Sequence, residues 1–314
     1  MMGTVFWESP FVLDPPPAAV ERHGDVDLHV PAGDGRHPAV VVVHGVPGPP
    51  EAPDARDWPL YRGYGALLAE AGVLAAIPRL TVASPDDLYT VAARVAAAAE
   101  LLRADPRVDA DRLGLWFFSG AGLLLGDWLR DPPAWLRGVA ATYPLLAPLP
   151  GWPPVDPRFR PIDALDLPAD QDAAAPSGTT SPDDAGVNAP RPEAASPSGE
   201  HVTAPQPDAT SANNASVDPT RPSTTSPDGA NVDAAQAEGA ARPTLVLTRA
   251  GRERPEVAPT IEAFTAVARR RGIPLCMVDV PNGQHGFDAL DHTEESRAAV
   301  RTARDTLLTL LTAP

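Results

Sequence analysis

The chain has 314 residues, 43% of them hydrophobic, a formal charge of −16 and a single cysteine. That balance allows one large folded core, argues against a nucleic-acid binder built on clustered cations, and rules out an internal disulfide. No run reaches the ~18 apolar residues of a membrane span, and the amino-terminal MMGTVFWESPFVLDPPP lacks the basic-then-apolar order of a signal peptide, so the expected location is cytoplasmic.

In chain order the predicted elements alternate. Ala39-Val-Val-Val-Val43 is a near-continuous apolar strand that ends in His44-Gly45. A helix follows around 61–71, then a strand over 73–77 and a long alanine-rich helix over about 86–103. Leu113 to Phe118 reads as a strand that leads into a helix near 120–130, and the run from Arg137 to Tyr143 reads as a further strand. Farther on come a strand from Pro243, a helix near 256–271, a strand over 274–280 and a last helix over about 294–311. The strand 274–280 holds Cys276, expected to be a buried, inert thiol. Alternating β and α units imply a doubly wound, mostly parallel sheet flanked by helices on both faces.

One segment breaks the alternation. Between Pro168 and Thr244 there is no aromatic residue and no Leu, Ile or Met, and the large apolar residues are Val187, Val202, Val217 and Val232, fifteen apart. They mark a tandem repeat whose units begin at Ser181, Ser196, Ser211 and Ser226. One valine per unit cannot offset an ordering entropy of roughly 1–2 kcal/mol per residue, and solenoid repeats are longer and richer in apolar residues. Residues 166–240 are therefore expected to be a disordered acidic insert between two strands of one domain, with 1–165 and 241–314 as its two folded parts. Twelve acidic residues against two arginines give the insert −10 of the total charge, which leaves −6 to the rest. It reads either as a solvated spacer or as a partner-binding or phosphorylated segment with Ser-Pro sites.

In such sheets ligands bind at the carboxyl ends of the strands. Four of those junctions carry reactive residue types: HGVPG from His44, SGAG from Ser119, RAGRER from Arg249 and NGQHGF from Asn282. Ser119 follows an apolar strand and opens a run of small residues. A nucleophilic serine needs an exposed hydroxyl on a tight turn, a base and donors for an oxyanion, whereas a helix N-cap needs only the serine. Ser119 alone leaves both open. The order serine, acid, histidine, each after its own strand, favours the nucleophile. His285 is then the base, ahead of His44 and His292. Glu253 is the acid that orients the imidazole, with a surface ion pair to Arg252 or Arg254 as its plainer role and Glu256 as the second choice. The backbone N–H groups of Val46 and Gly120 are the expected oxyanion donors, because Pro47 has none. Arg79 is a weaker candidate, either pairing with a substrate carboxylate or simply a surface arginine.

The motifs HGVPG, LWFFSGAG, LTRAGRE and GQHGF resemble those of the α/β-hydrolase superfamily, and more narrowly the dienelactone hydrolase family, in order and rough spacing over residues 38–130 and 243–312. The resemblance implies the α/β-hydrolase fold, with Ser119 as nucleophile, His285 as base, Glu253 as acid, and Val46 and Gly120 as oxyanion donors. It implies hydrolysis of a small carboxylic ester or lactone through an acyl-enzyme, with no cofactor and no metal. Three features depart from the family pattern. Ser119 stands where the eponymous enzymes carry cysteine, Glu253 stands where aspartate is common, and Phe117 and Ala121 replace the glycines that frame the elbow. The alternative of a different class is a hydrolase-fold protein without turnover, a binding module whose insert recruits a protein partner. Neither reading involves nucleic acid or a membrane.

Overall fold

Eight strands make one sheet in the computed structural model, which describes residues 5–48, 51–165 and 242–313. They are β1 (Ala19–His23), β2 (Val26–Val30), β3 (His37–Val43), β4 (Leu74–Pro78), β5 (Val108–Phe118), β6 (Leu136–Thr142), β7 (Thr244–Arg252) and β8 (Leu275–Gln284), in the spatial order β1-β2-β4-β3-β5-β6-β7-β8. Every pairing from β4 through β3 and β5 to β8 is parallel, and the β1–β2 and β2–β4 pairings are antiparallel. The sheet is the mostly parallel one that the alternating sequence implies. The expected disorder and repeat structure of 166–240 lie outside the described residues.

Among the described residues the helices are α1 (Pro59–Glu70), α2 (Asp87–Ala104), α3 (Leu125–Arg130), α4 (Pro161–Leu165), α5 (Ala258–Arg270), α6 (Phe287–Leu290) and α7 (Glu294–Thr312). None is long and apolar enough to cross a membrane. Successive strand residues point to opposite faces, so the buried run Leu115 to Phe118 feeds two cores at once. Leu115 and Phe117 join Val41, Val43 and the apolar sides of α2 and α5; Trp116 and Phe118 join Val40, Val42 and the apolar sides of α1 and α7.

This alternation settles what Phe117 does. It is fully buried, and its register partners on the flanking strands are Val43 and Ala141, both modest in size and both in the same core. A phenylalanine two residues before the elbow therefore fills the sheet face instead of crowding the turn. Cys276 corrects the expectation made for it: although it shares a face with buried Val278 and Val280, the thiol is exposed, lying near the start of β8, an edge strand paired only with β7.

The strand order also places the site. The chain steps from β3 outward to β4, then returns across β3 to β5, so the turns after β3 and β5 diverge at a topological switch point. HGVPG follows β3 and Ser119 follows β5.

Candidate active site

Ser119 is the first residue after β5 and opens a 3-10 turn, Ser119–Leu124. Its φ is +50°, a left-handed conformation that costs a non-glycine residue on the order of 1–3 kcal/mol and is kept where surrounding structure enforces it. Part of the enforcement is visible: the Ser119 carbonyl accepts the Leu145 N–H at 2.8 Å. The hydroxyl caps nothing. The residue at the capping position is Phe118, and Ser119 Oγ lies instead 2.7 Å from His285 Nε2.

The acid and the histidine meet through strand register. Arg252 of β7 pairs with Gln284 of β8, so the next residues along the two parallel strands, Glu253 and His285, emerge side by side. His285 Nδ1 is 2.8 Å from one Glu253 carboxylate oxygen and 2.9 Å from the other. The Glu253 side chain is 1% exposed, and its Oε1 also accepts the Arg254 N–H at 2.8 Å. An ionised carboxylate only accepts, so it fixes the proton on Nδ1; Nε2 is then the acceptor and Ser119 donates to it. Glu256 is exposed and makes no bond to His285. His44 is buried, its ring accepting the Leu80 N–H through Nε2 at 3.1 Å, and burial pushes its pKa down to about 4. His292 is exposed and lines a different cavity.

Val46 and Gly120 are brought together. A Cβ on Gly120 would collide with the Val46 carbonyl oxygen, so this approach tolerates only glycine after the serine. Gly120 N–H belongs to the unpaired first turn of the 3-10 segment, and Val46 N–H has no acceptor among the described residues. Arg79 lies elsewhere: half-exposed, it faces Asp54 at 3.5 Å and Asp25 at 3.9 Å and does not line the cavity that holds Ser119.

That cavity has a volume of about 200 Å³, and its walls include Phe6, Trp58, Tyr61, Tyr143, Arg254 and His285. A second, mainly apolar cavity of about 300 Å³ adjoins it across Pro47 and is bounded by Val46, Gly120, Leu88, Leu123 and Trp152. Among the described residues no group of three or more His, Cys, Asp or Glu side chains is placed to hold a metal ion.

Sequence reasoning missed the support around His285. Asp288, one turn farther on in α6, is fully buried and accepts hydrogen bonds from the phenols of Tyr64 (2.7 Å) and Tyr143 (2.8 Å). Burial raises its pKa to about 6 against the pull of both tyrosines and of His285. Tyr143, itself at φ +38° just after β6, packs its ring against the imidazole at a tilt of 52°, with centroids 4.6 Å apart. No local spacing announces this acid, because Gly286 at φ +79° separates His285 from α6 and the partners of Asp288 lie far along the chain.

No protein-family model and no curated protein matches the chain. Solved structures do. The chain is similar to the native form of a thermophilic esterase, Est2, from the Planctomycetes species Thermogutta terrifontis, with a TM-score of 0.56 at 12% identity over 94% of this chain and 93% of that one. It is similar to the propionate-bound form at TM-score 0.55 and 13% identity, over 95% and 97% of the two chains. It is also similar to Thermogutta terrifontis esterase 2 phosphoramylated by tabun, at TM-score 0.54 and 14% identity over 96% and 98%. Likeness at this identity concerns architecture, and with the sheet order above it establishes that the chain has the α/β-hydrolase fold.

Proposed function

We propose that the protein is a serine hydrolase that cleaves a small carboxylic ester or lactone through an acyl-enzyme, of the dienelactone-hydrolase type. The observation that carries this reading is the continuous relay from Glu253 through His285 to Ser119, with contacts of 2.8 Å and 2.7 Å. Ser119 Oγ bonds to the substrate carbonyl carbon as its proton passes to Nε2, and the carbonyl π pair moves onto oxygen. The Val46 and Gly120 N–H groups stabilise that oxyanion, and Glu253 stabilises the imidazolium. Collapse breaks the bond to the leaving oxygen, which takes the proton from Nε2. Water then repeats the sequence on the acyl-enzyme, giving a carboxylic acid and free Ser119.

The size of the substrate follows from the walls. A cavity of about 200 Å³ beside an apolar one of about 300 Å³ suits a short acyl group and a compact alcohol. The similar esterase binds propionate and butyrate, which supports a short acyl chain here. Stopped-flow release of nitrophenol from p-nitrophenyl butyrate tests the reading. The account predicts a burst of about one equivalent per chain when deacylation is the slower step, and in every case no turnover for Ser119→Ala. Turnover by Ser119→Ala at the parent rate would overturn it.

A further inference from the structure

We infer that Tyr61 is a further catalytic residue of this site, its phenol hydroxyl donating to the substrate oxygen that becomes the oxyanion. The inference rests on the hydrolase reading and adds a donor to it.

Tyr61 sits on α1, the helix that follows the HGVPG turn, and is 2% exposed. Its ring is held between those of Phe118, Trp58 and His44, with centroids 5.6, 5.7 and 5.4 Å away. Its phenol oxygen accepts the Gly45 N–H at 2.8 Å. That bond uses a lone pair and leaves the hydroxyl proton to be placed, and among the described residues nothing accepts it. A buried phenol with an unspent donor is costly unless something arrives to take the proton.

The location of that proton decides what arrives. Tyr61 lines the same cavity as Ser119 and His285. The Ser119 Cβ and the Tyr61 hydroxyl oxygen lie 3.2 and 3.4 Å from one point, the place where a Cβ on Gly45 would be, so a glycine keeps the space between them clear. Pro47, which follows Val46, lines this cavity too, and the other phenol of its wall, Tyr143, already donates to Asp288, which leaves Tyr61 as the hydroxyl with a proton to give. Burial raises the phenol pKa, so the group stays a neutral donor across the working range. The Gly45 N–H bond and three packed rings hold it in place before substrate binds, which is the condition for a donor to act on developing charge.

The experiment compares Tyr61→Phe with the parent in three readouts: p-nitrophenyl butyrate kinetics, affinity for a trifluoromethyl ketone that forms a tetrahedral adduct on Ser119, and affinity for the non-hydrolysed amide analogue of the ester. The inference predicts that kcat falls on the order of 10–10²-fold while KM stays within about twofold, and that ketone affinity falls in parallel while amide affinity does not change. A parent-like kcat, or equal losses for ketone and amide, overturns it. Phenylalanine also removes the acceptor of the Gly45 N–H. If that variant fails to fold, 3-fluorotyrosine at position 61 keeps the acceptor and makes the donated proton more acidic. Ketone affinity should then rise with amide affinity constant, and an unchanged ketone affinity overturns the inference. A parent without any turnover overturns the hydrolase reading together with this inference, whereas a turning-over parent matched by Tyr61→Phe overturns the inference alone.

Discussion

Replacing Asp288 by asparagine probes the buried carboxyl beside the imidazole through its proton. Below about pH 3 this carboxyl is protonated in the folded and unfolded chain alike and adds no pH dependence. Its folded pKa is raised by burial from an ordinary 3.8 to about 6, so between those values the native state holds a proton that the unfolded chain has released. Stability therefore falls as pH rises through that window, by about 3 kcal/mol in all at about 1.4 kcal/mol per pH unit, and the loss is complete only above about pH 7. Asparagine keeps the shape and an acceptor for Tyr64 or Tyr143, but it does not titrate. The unfolding free energy of Asp288→Asn minus that of the parent should accordingly rise by roughly 2–2.5 kcal/mol from about pH 4 to about pH 7. Urea unfolding of both proteins at the two pH values measures this, and the chain's other acids cancel in the difference. A difference that stays level within about 0.5 kcal/mol, or that falls, would refute the argument that burial dominates at this carboxyl.

Four further substitutions separate the parts of the account. Glu253→Gln should lower kcat by about 10²-fold or more, since a neutral amide neither fixes the Nδ1 proton nor stabilises imidazolium, while Glu256→Gln should match the parent; steady-state kinetics in which the two behave alike would move the acid. Phe117→Ala empties a fully buried position and should cost about 3–5 kcal/mol in urea unfolding; a loss under about 1 kcal/mol would mean that Phe117 is not packed between Val43 and Ala141 as described. Gly120→Ala forces a methyl against the Val46 carbonyl and should reduce kcat/KM for p-nitrophenyl butyrate on the order of 10²-fold, and parent-like kinetics would contradict that approach.

The parallel sheet was legible because its strands, such as Ala39 to Val43, are continuous apolar runs bounded by helices of clear period. The hairpin β1–β2 was not, since Ala19–His23 carries Glu21, Arg22 and His23 and is mostly exposed, so no apolar alternation announces it. Helix ends were readable to within about two residues, but the run predicted as a helix at 120–130 is a 3-10 turn followed by α3, because an elbow serine at positive φ cannot start a regular helix. Ser119, Glu253 and His285 were visible as residues after strands; that Glu253 and His285 sit together depends on the β7–β8 register, which a single sequence does not display. Asp288, Tyr61 and Tyr143 escaped notice for a different reason. Each takes its meaning from partners far along the chain, as with Tyr64 and Asp288, and no local spacing encodes such a contact.

The most direct test of the central claim, that Ser119 is an activated nucleophile, is intact-mass labelling with a fluorophosphonate probe, with Ser119→Ala beside the parent. The account predicts one adduct per parent chain, none on Ser119→Ala, and slowed labelling of Glu253→Gln. An unlabelled parent, or an adduct that persists in Ser119→Ala, would contradict it.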